Sequence, residues 1–135
     1  MVQLEQRVAV IGAAGNLGHA LRIPFPNALF LDIRDTEQYI QRVDLTELQE
    51  LEHALQSFSP IDWVINAAAY TKVDFAETPG GRFKSLLANV IGPRNLSILA
   101  LLNGPQIVHI GTAYVFDGRD GMYKENDEPN PINTY

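Results

Sequence analysis

The sequence predicts an α/β fold: a doubly wound parallel sheet of about five strands, with helices on both faces. Three observations carry this. Short apolar runs alternate with stretches of helical periodicity, the order expected when each strand is followed by a crossover. One run, Val8-Ala9-Val10-Ile11, leads straight into the glycine-rich stretch Gly12-Ala13-Ala14-Gly15-Asn16-Leu17-Gly18. A second run, Ala28-Leu29-Phe30-Leu31, ends on Asp32, twenty residues after Gly12.

Val8 to Ile11 is continuously apolar, which fits a strand covered on both faces. Gly12 permits a sharp turn, Gly15 would let a pyrophosphate approach the backbone, and Gly18 would let a helix pack tightly on the strand. Asn16 is the expected N-cap. The spacing is G-x-x-G-x-x-G, which an ordinary strand-to-helix turn also satisfies. In a strand–turn–helix context, however, the first-turn N–H groups and the helix dipole can bind a phosphate. The helix must stop near Ile23, because Pro24 and Pro26 follow.

Ala28 to Ile33 is the second strand. Asp32 stands where a dinucleotide fold holds the adenosine ribose, or it caps the next turn. Arg34 either reaches a 2′-phosphate or is a solvated charge. Gln38 to Val43 reads as a weak third strand at the sheet edge. Asp44-Leu45-Thr46 leads into a helix, with Thr46 as N-cap and Gln49 three residues on. Leu48, Leu51, Leu55 and Phe58 repeat at helical spacing, and Pro60 ends the helix.

Trp63-Val64-Ile65 is the fourth strand, running into Asn66-Ala67-Ala68-Ala69-Tyr70. Small residues at a strand's end leave room for a ligand or allow tight helix packing. Thr78 to Gly81 reads as a loop. A helical pattern then runs from Arg82 to Leu102, with a kink expected at Gly92-Pro93. Gln106 to Ile110 is the fifth strand, at the other edge. From Gly118 the chain is polar and rich in proline. No final element follows, so the expectation is the front part of a larger protein.

The 135 residues suit one domain, and 46 % hydrophobic content suffices for a core. A net charge of −6 without a basic cluster argues against nucleic-acid or anionic-membrane partners. The absence of cysteine excludes disulfides and cysteine–zinc sites and fits a cytoplasmic protein. The N-terminus does not read as a signal peptide, and no apolar run approaches the roughly 20 residues of a membrane span. His19 stands near the turn, His53 on a solvated helix face and His109 beside the core. None has a second ligand at metal spacing.

Further motifs are Asn66-Ala67-Ala68-Ala69-Tyr70-Thr71-Lys72-Val73-Asp74, Asn89 with Gly92-Pro93-Arg94-Asn95-Leu96, Tyr114-Val115-Phe116-Asp117-Gly118, and Pro129-Asn130-Pro131-Ile132-Asn133-Thr134-Tyr135. With the glycine-rich turn, they resemble the extended short-chain dehydrogenase/reductases, and within them the dTDP-4-dehydrorhamnose reductases. The resemblance runs nearly end to end. It implies an NAD(P)-binding Rossmann domain over residues 1–135, incomplete and without the sugar-binding region. It also implies NADPH or NADH as cofactor, a nucleotide-linked 4-keto sugar as substrate, and room for a homodimer. By position Thr112 matches the carbonyl-binding Ser/Thr, and Tyr135 matches the proton-donating Tyr. The Lys that lowers this Tyr's pKa would fall four residues beyond Tyr135, so these 135 residues alone are expected to turn over little or no substrate.

The cofactor-contacting set is Gly12, Ala14, Gly15, Asn16, Leu17 and Gly18 in the turn, then Asp32, Ile33 and Arg34, then Asp44 and Leu45. Ala67, Ala68, Ala69 and Tyr70 follow, with Asn89, which sits near the active site or bonds only backbone. The chain departs from the reductases at Gly111-Thr112-Ala113, where they carry Ser-Thr-Asp. Ala113 replaces an Asp that the family implicates near the sugar. Ala113 and the missing Lys motivate one alternative to a reductase, a non-catalytic dinucleotide-binding or regulatory homologue; a further alternative, a nucleotide-sugar epimerase or dehydratase, is disfavoured by the Asn66-Ala67-Ala68-Ala69-Tyr70 run.

Overall fold

Alternate residues of β1 (Val8–Ile11) feed two separate cores. Ala9 and Ile11 pack with Leu31, Leu51, Leu55, Val64 and Leu96, whereas Val8 and Val10 pack with Phe30 and Ile40. Burial on both faces is why this run is apolar at every position. The computed structural model describes residues 6–102 and 104–135.

The remaining strands are β2 (Leu29–Asp32), β3 (Ile40–Arg42), β4 (Trp63–Asn66) and β5 (Gln106–His109). All pair in parallel, in the order β3-β2-β1-β4-β5. Both expected edges are therefore edges. The helices are α1 (Asn16–Leu21), α2 (Leu48–Ser57), α3 (Val73–Ala76), α4 (Pro79–Leu86) and α5 (Gly92–Leu101). Leu51 and Leu55 of α2 and Leu96 of α5 close the first core; Leu21 of α1 packs against the second.

Several local expectations need correction. Gly15, not Asn16, is the N-cap of α1, and no side chain caps it. Glu47 occupies the N-cap of α2, because the Thr46 hydroxyl is diverted to Asp44 Oδ1 at 2.7 Å. Thr78 to Gly81 is a helix start instead of a loop. The Thr78 hydroxyl accepts the Gly81 N–H at 3.1 Å, and Pro79 sits where no N–H is needed. The short helix α3 is an element beyond those the sequence predicts. The kink at Gly92-Pro93 takes the form of a π turn, Leu87–Ile91, between α4 and α5. Pro93 lacks an N–H and its ring crowds the carbonyl one turn earlier, so a wider turn relieves it. His109 is exposed instead of packed beside the core, because β5 is an edge strand.

Gly12 and Gly80 make contrasting demands on this fold. Gly12 has φ +83°, and a Cβ there would lie 2.5 Å from Ala68 N. Gly80 lies within α4 with nothing within 4 Å of an added Cβ. Gly12→Ala should destabilise the chain by about 2–4 kcal/mol. Gly80→Ala should be neutral or stabilising by about 0.5 kcal/mol. Urea unfolding of both variants checks this, and similar midpoints would contradict it.

Candidate dinucleotide-binding site

Parallel strands bring all five carboxyl ends to one edge of the sheet. From β1 the order runs to β2 and β3 on one side and to β4 and β5 on the other. The carboxyl end of β1 is thus the switch point, where open α/β sheets hold ligands.

The glycine-rich turn is tied to β2. The Gly12 and Ala13 N–H groups both donate to the Leu31 carbonyl, at 2.9 and 3.0 Å, and Gly15 N–H returns to Gly12 O at 3.0 Å. Ala14 N–H donates to Asp32 Oδ2 at 2.9 Å. The N–H groups of Asn16, Leu17 and Gly18 lie beyond these ties, in the first turn of α1, where a helix offers no internal acceptor.

Asp32 is only 5 % exposed. Besides Ala14, it accepts the Arg34 N–H at 2.9 Å and Arg34 Nε at 3.2 Å, both on Oδ1. Its carboxylate therefore caps the turn after β2 and anchors the glycine-rich loop; a ribose would have to share it. The Arg34 side chain is 57 % exposed. Ile33 is exposed beside it.

The three glycines have different reasons. Besides Ala68 N, a Cβ on Gly12 would meet Ala67 C at 2.6 Å; one on Gly18 would meet Ala13 Cα at 2.5 Å. Internal packing demands both. Gly15 has φ −87°, open to any residue, and an added Cβ would meet only Gly12 O, at 3.2 Å. Its missing side chain leaves free space beside the turn.

Two side-chain amides shape the opposite wall. Asn66 is 1 % exposed. It accepts the Ala68 N–H at 3.1 Å, and its Nδ2 lies 3.1 Å from His109 Nδ1, joining the ends of β4 and β5. Asn89 sits in the middle of the π turn. It accepts the Tyr70 N–H at 2.8 Å and donates to Tyr70 O at 3.1 Å and Ser85 Oγ at 3.2 Å. Asn89 thus bonds the Tyr70 backbone and, beside it, one side chain, Ser85. Ala67 and Ala68 are half-buried and Ala69 is exposed.

Asp44 closes a local turn by accepting the Thr46 N–H at 2.9 Å. Leu45 is buried in the first core, where a Cβ on Gly92 would lie 2.7 Å from its Cδ2. Asn95 Nδ2 donates to Leu45 O at 3.1 Å and Thr46 O at 2.9 Å. Asn66 and Asn95 are the site-shaping residues that sequence reasoning missed. Their signal was a polar amide at a position otherwise reserved for core.

Thr112 caps the 3₁₀ turn Ala113–Val115, its hydroxyl accepting the Tyr114 N–H at 3.2 Å. The Tyr135 ring meets Tyr114 edge-on, with centroids 6.0 Å apart. The intervening segment folds around Asp117, which accepts from the Tyr123 hydroxyl at 2.6 Å, Arg119 N–H at 3.1 Å and Asn130 Nδ2 at 3.1 Å. These donors, Tyr123 foremost, hold its carboxyl below the usual range. Two cavities, of about 180 and 330 Å³, lie at the far, amino-terminal edge of the sheet, lined by Leu55, Ile61 and Leu99 and by Arg7, Phe25 and Phe58.

A family model described as the RmlD substrate binding domain matches residues 6–135. The chain belongs to this family. Among its relatives, the dTDP-4-dehydrorhamnose reductase of Aggregatibacter actinomycetemcomitans is 36 % identical, over 96 % of this chain and 42 % of that protein. Methionine adenosyltransferase 2 subunit beta of Bos taurus is 31 % identical, over 97 % of this chain and 40 % of that protein. The crystal structure of dTDP-4-dehydrorhamnose reductase from Bacillus anthracis, in complex with NADP, superposes with a TM-score of 0.80 at 34 % identity. It is matched over 98 % of this chain and 45 % of that one. This RmlD-family chain thus spans about 40 % of the length of these curated relatives. Among its described residues no helix is long and apolar enough to cross a membrane, and no group of three His, Cys, Asp or Glu could hold a metal ion.

The Asn89 clamp can be read directly. In Asn89→Ala the Tyr70 amide loses its acceptor, so its hydrogen-exchange protection should fall at least about tenfold, the equivalent of about 1.4 kcal/mol. The Val10 amide, deep in β1, should change far less. Unchanged protection at Tyr70 would contradict the clamp.

Proposed function

We propose that this chain is the NAD(P)H-binding portion of a nucleotide-sugar reductase acting on a 4-keto sugar linked to a nucleotide such as dTDP. The observation that carries the reading is Gly15, the one glycine of the turn whose missing side chain clears ligand space more than it serves packing. A cofactor bound there would supply the hydride for the sugar ketone. The N–H groups of Asn16 and Leu17 hold the pyrophosphate. Arg34, fixed through its Nε by Asp32, presents the rest of its guanidinium to a 2′-phosphate. Thr112 orients the ketone oxygen through its hydroxyl proton, since its oxygen already accepts from Tyr114. Tyr135 gives that oxygen its proton. We place the protein in the cytoplasm and allow it to pair as a homodimer.

A second reading is a dinucleotide-binding regulatory subunit. It is favoured by the likeness to methionine adenosyltransferase 2 subunit beta and by Ala113 at the position of the reductases' Asp. Both readings need the cofactor, and only the first needs hydride transfer.

Calorimetric titration with NADPH and NADH tests the cofactor site. Gly15→Val puts a branched side chain where the pyrophosphate should lie and should weaken both cofactors at least about tenfold, roughly 1.4 kcal/mol. Arg34→Ala should lower the NADPH-to-NADH affinity ratio several-fold while leaving NADH nearly unchanged. Unchanged affinity in Gly15→Val would refute the site, and an unchanged ratio in Arg34→Ala would make Arg34 a solvated charge.

A further inference from the structure

The residue before Tyr135 is gripped from far away in sequence. Glu77 lies at the C-terminal end of α3. Its Oε1 accepts the Thr134 N–H and its Oε2 accepts the Thr134 hydroxyl, each at 2.7 Å. One carboxylate thus takes both donors of one residue, which fixes orientation as well as position. The other described bonds from residues 129–135 return to the neighbouring turn: Asn130 N–H to Val115 O at 2.8 Å, Asn130 Nδ2 to Asp117 at 3.1 Å, and Asn133 Nδ2 to Tyr114 O at 3.3 Å. Among the described residues, Glu77 is therefore the tie between this segment and the connection that follows β4.

We propose that Glu77 is a positioning residue, whose two-point grip on Thr134 holds the Tyr135 ring against Tyr114 at the carboxyl edge of the sheet. The purpose of the grip rests on the reading of Tyr135 as proton donor; the grip itself does not. A displacement of about 1 Å at a proton donor can cost roughly 100-fold in rate, so a segment without its own strand or helix needs such a tie. The Thr134 N–H, then its hydroxyl, hold the Glu77 carboxyl below its usual range against the opposing effect of burial, with Arg82 adding a smaller attraction. Because the folded-state value is depressed, the grip is complete above the unfolded carboxylate range and is lost as pH falls through the lower folded value.

The test uses this chain with ¹³C-labelled tyrosine rings and Tyr135→Phe to assign the resonance. At pH 7 the unaltered chain should show a Tyr114–Tyr135 ring cross-peak that fades only on acidification below the usual glutamate range. Glu77→Gln should lose at least about half of that intensity at pH 7. Glu77→Asp should restore part of it, and Thr134→Val, which keeps the N–H, should lose an intermediate share. The Phe116–Tyr123 stack, 4.4 Å between centroids, serves as the reference for the variants at pH 7. Full intensity in Glu77→Gln would overturn the proposal. If that variant unfolds, as read by Trp63 fluorescence, Thr134→Val decides alone, and full intensity there overturns the proposal. A lost cross-peak together with unchanged reductase turnover in Tyr135→Phe of the longer protein would leave the grip standing and remove the proton-donor role.

Discussion

The contact on which the site depends is the approach of Gly12 to the backbone of Ala67 and Ala68. Two loops that leave neighbouring strands meet there with no side chain between them. The left-handed backbone at Gly12 turns the chain out of β1 and across the end of β4. Any side chain at Gly12 would push the two loops apart. The two loops approach this closely because the contact is backbone on backbone.

Around that contact, the walls are set mainly by side chains bonding to main chain. Asp32 holds the glycine-rich loop from one side, and Asn66 and Asn89 hold the post-β4 loop from the other. Asn95 fixes the turn before α2 from below. Loops carry unpaired N–H and C=O groups that a sheet or helix would satisfy internally. Short amide and carboxylate side chains supply the missing partners, and each also fixes a loop shape. The π turn serves the same end, since it lies where Asn89 must reach back to both polar groups of Tyr70.

The strands and their edges were legible because burial on two faces leaves an unbroken apolar run, as in Val8 to Ile11, and weaker patterning at the edges. The glycine spacing and Asp32 pointed to the turn after β1, but not to how Asp32 is used. Its twenty-residue spacing fits a ribose contact and a turn cap equally well, and only the geometry shows the bonds to Ala14 and Arg34. Thr78-Pro79 was a readable N-cap and first helical position, masked by the two glycines that follow. Gly81 is there because α4 starts against the Phe75 backbone, a tertiary demand with no local signature. The Glu77–Thr134 grip spans 57 residues and is likewise invisible to any local pattern.

A dinucleotide is proposed to lie across the carboxyl edge of the sheet and not in either cavity at the amino-terminal edge. Amide chemical-shift mapping of the ¹⁵N-labelled chain during addition of NADPH tests it most directly. The largest changes are expected at Gly15, Asn16, Leu17, Arg34 and Ala68, with Gln56, Ile61 and Leu99 unmoved. Changes concentrated around Gln56, Ile61 and Leu99, or around Arg7 and Phe25, with the glycine-rich turn silent, would contradict it.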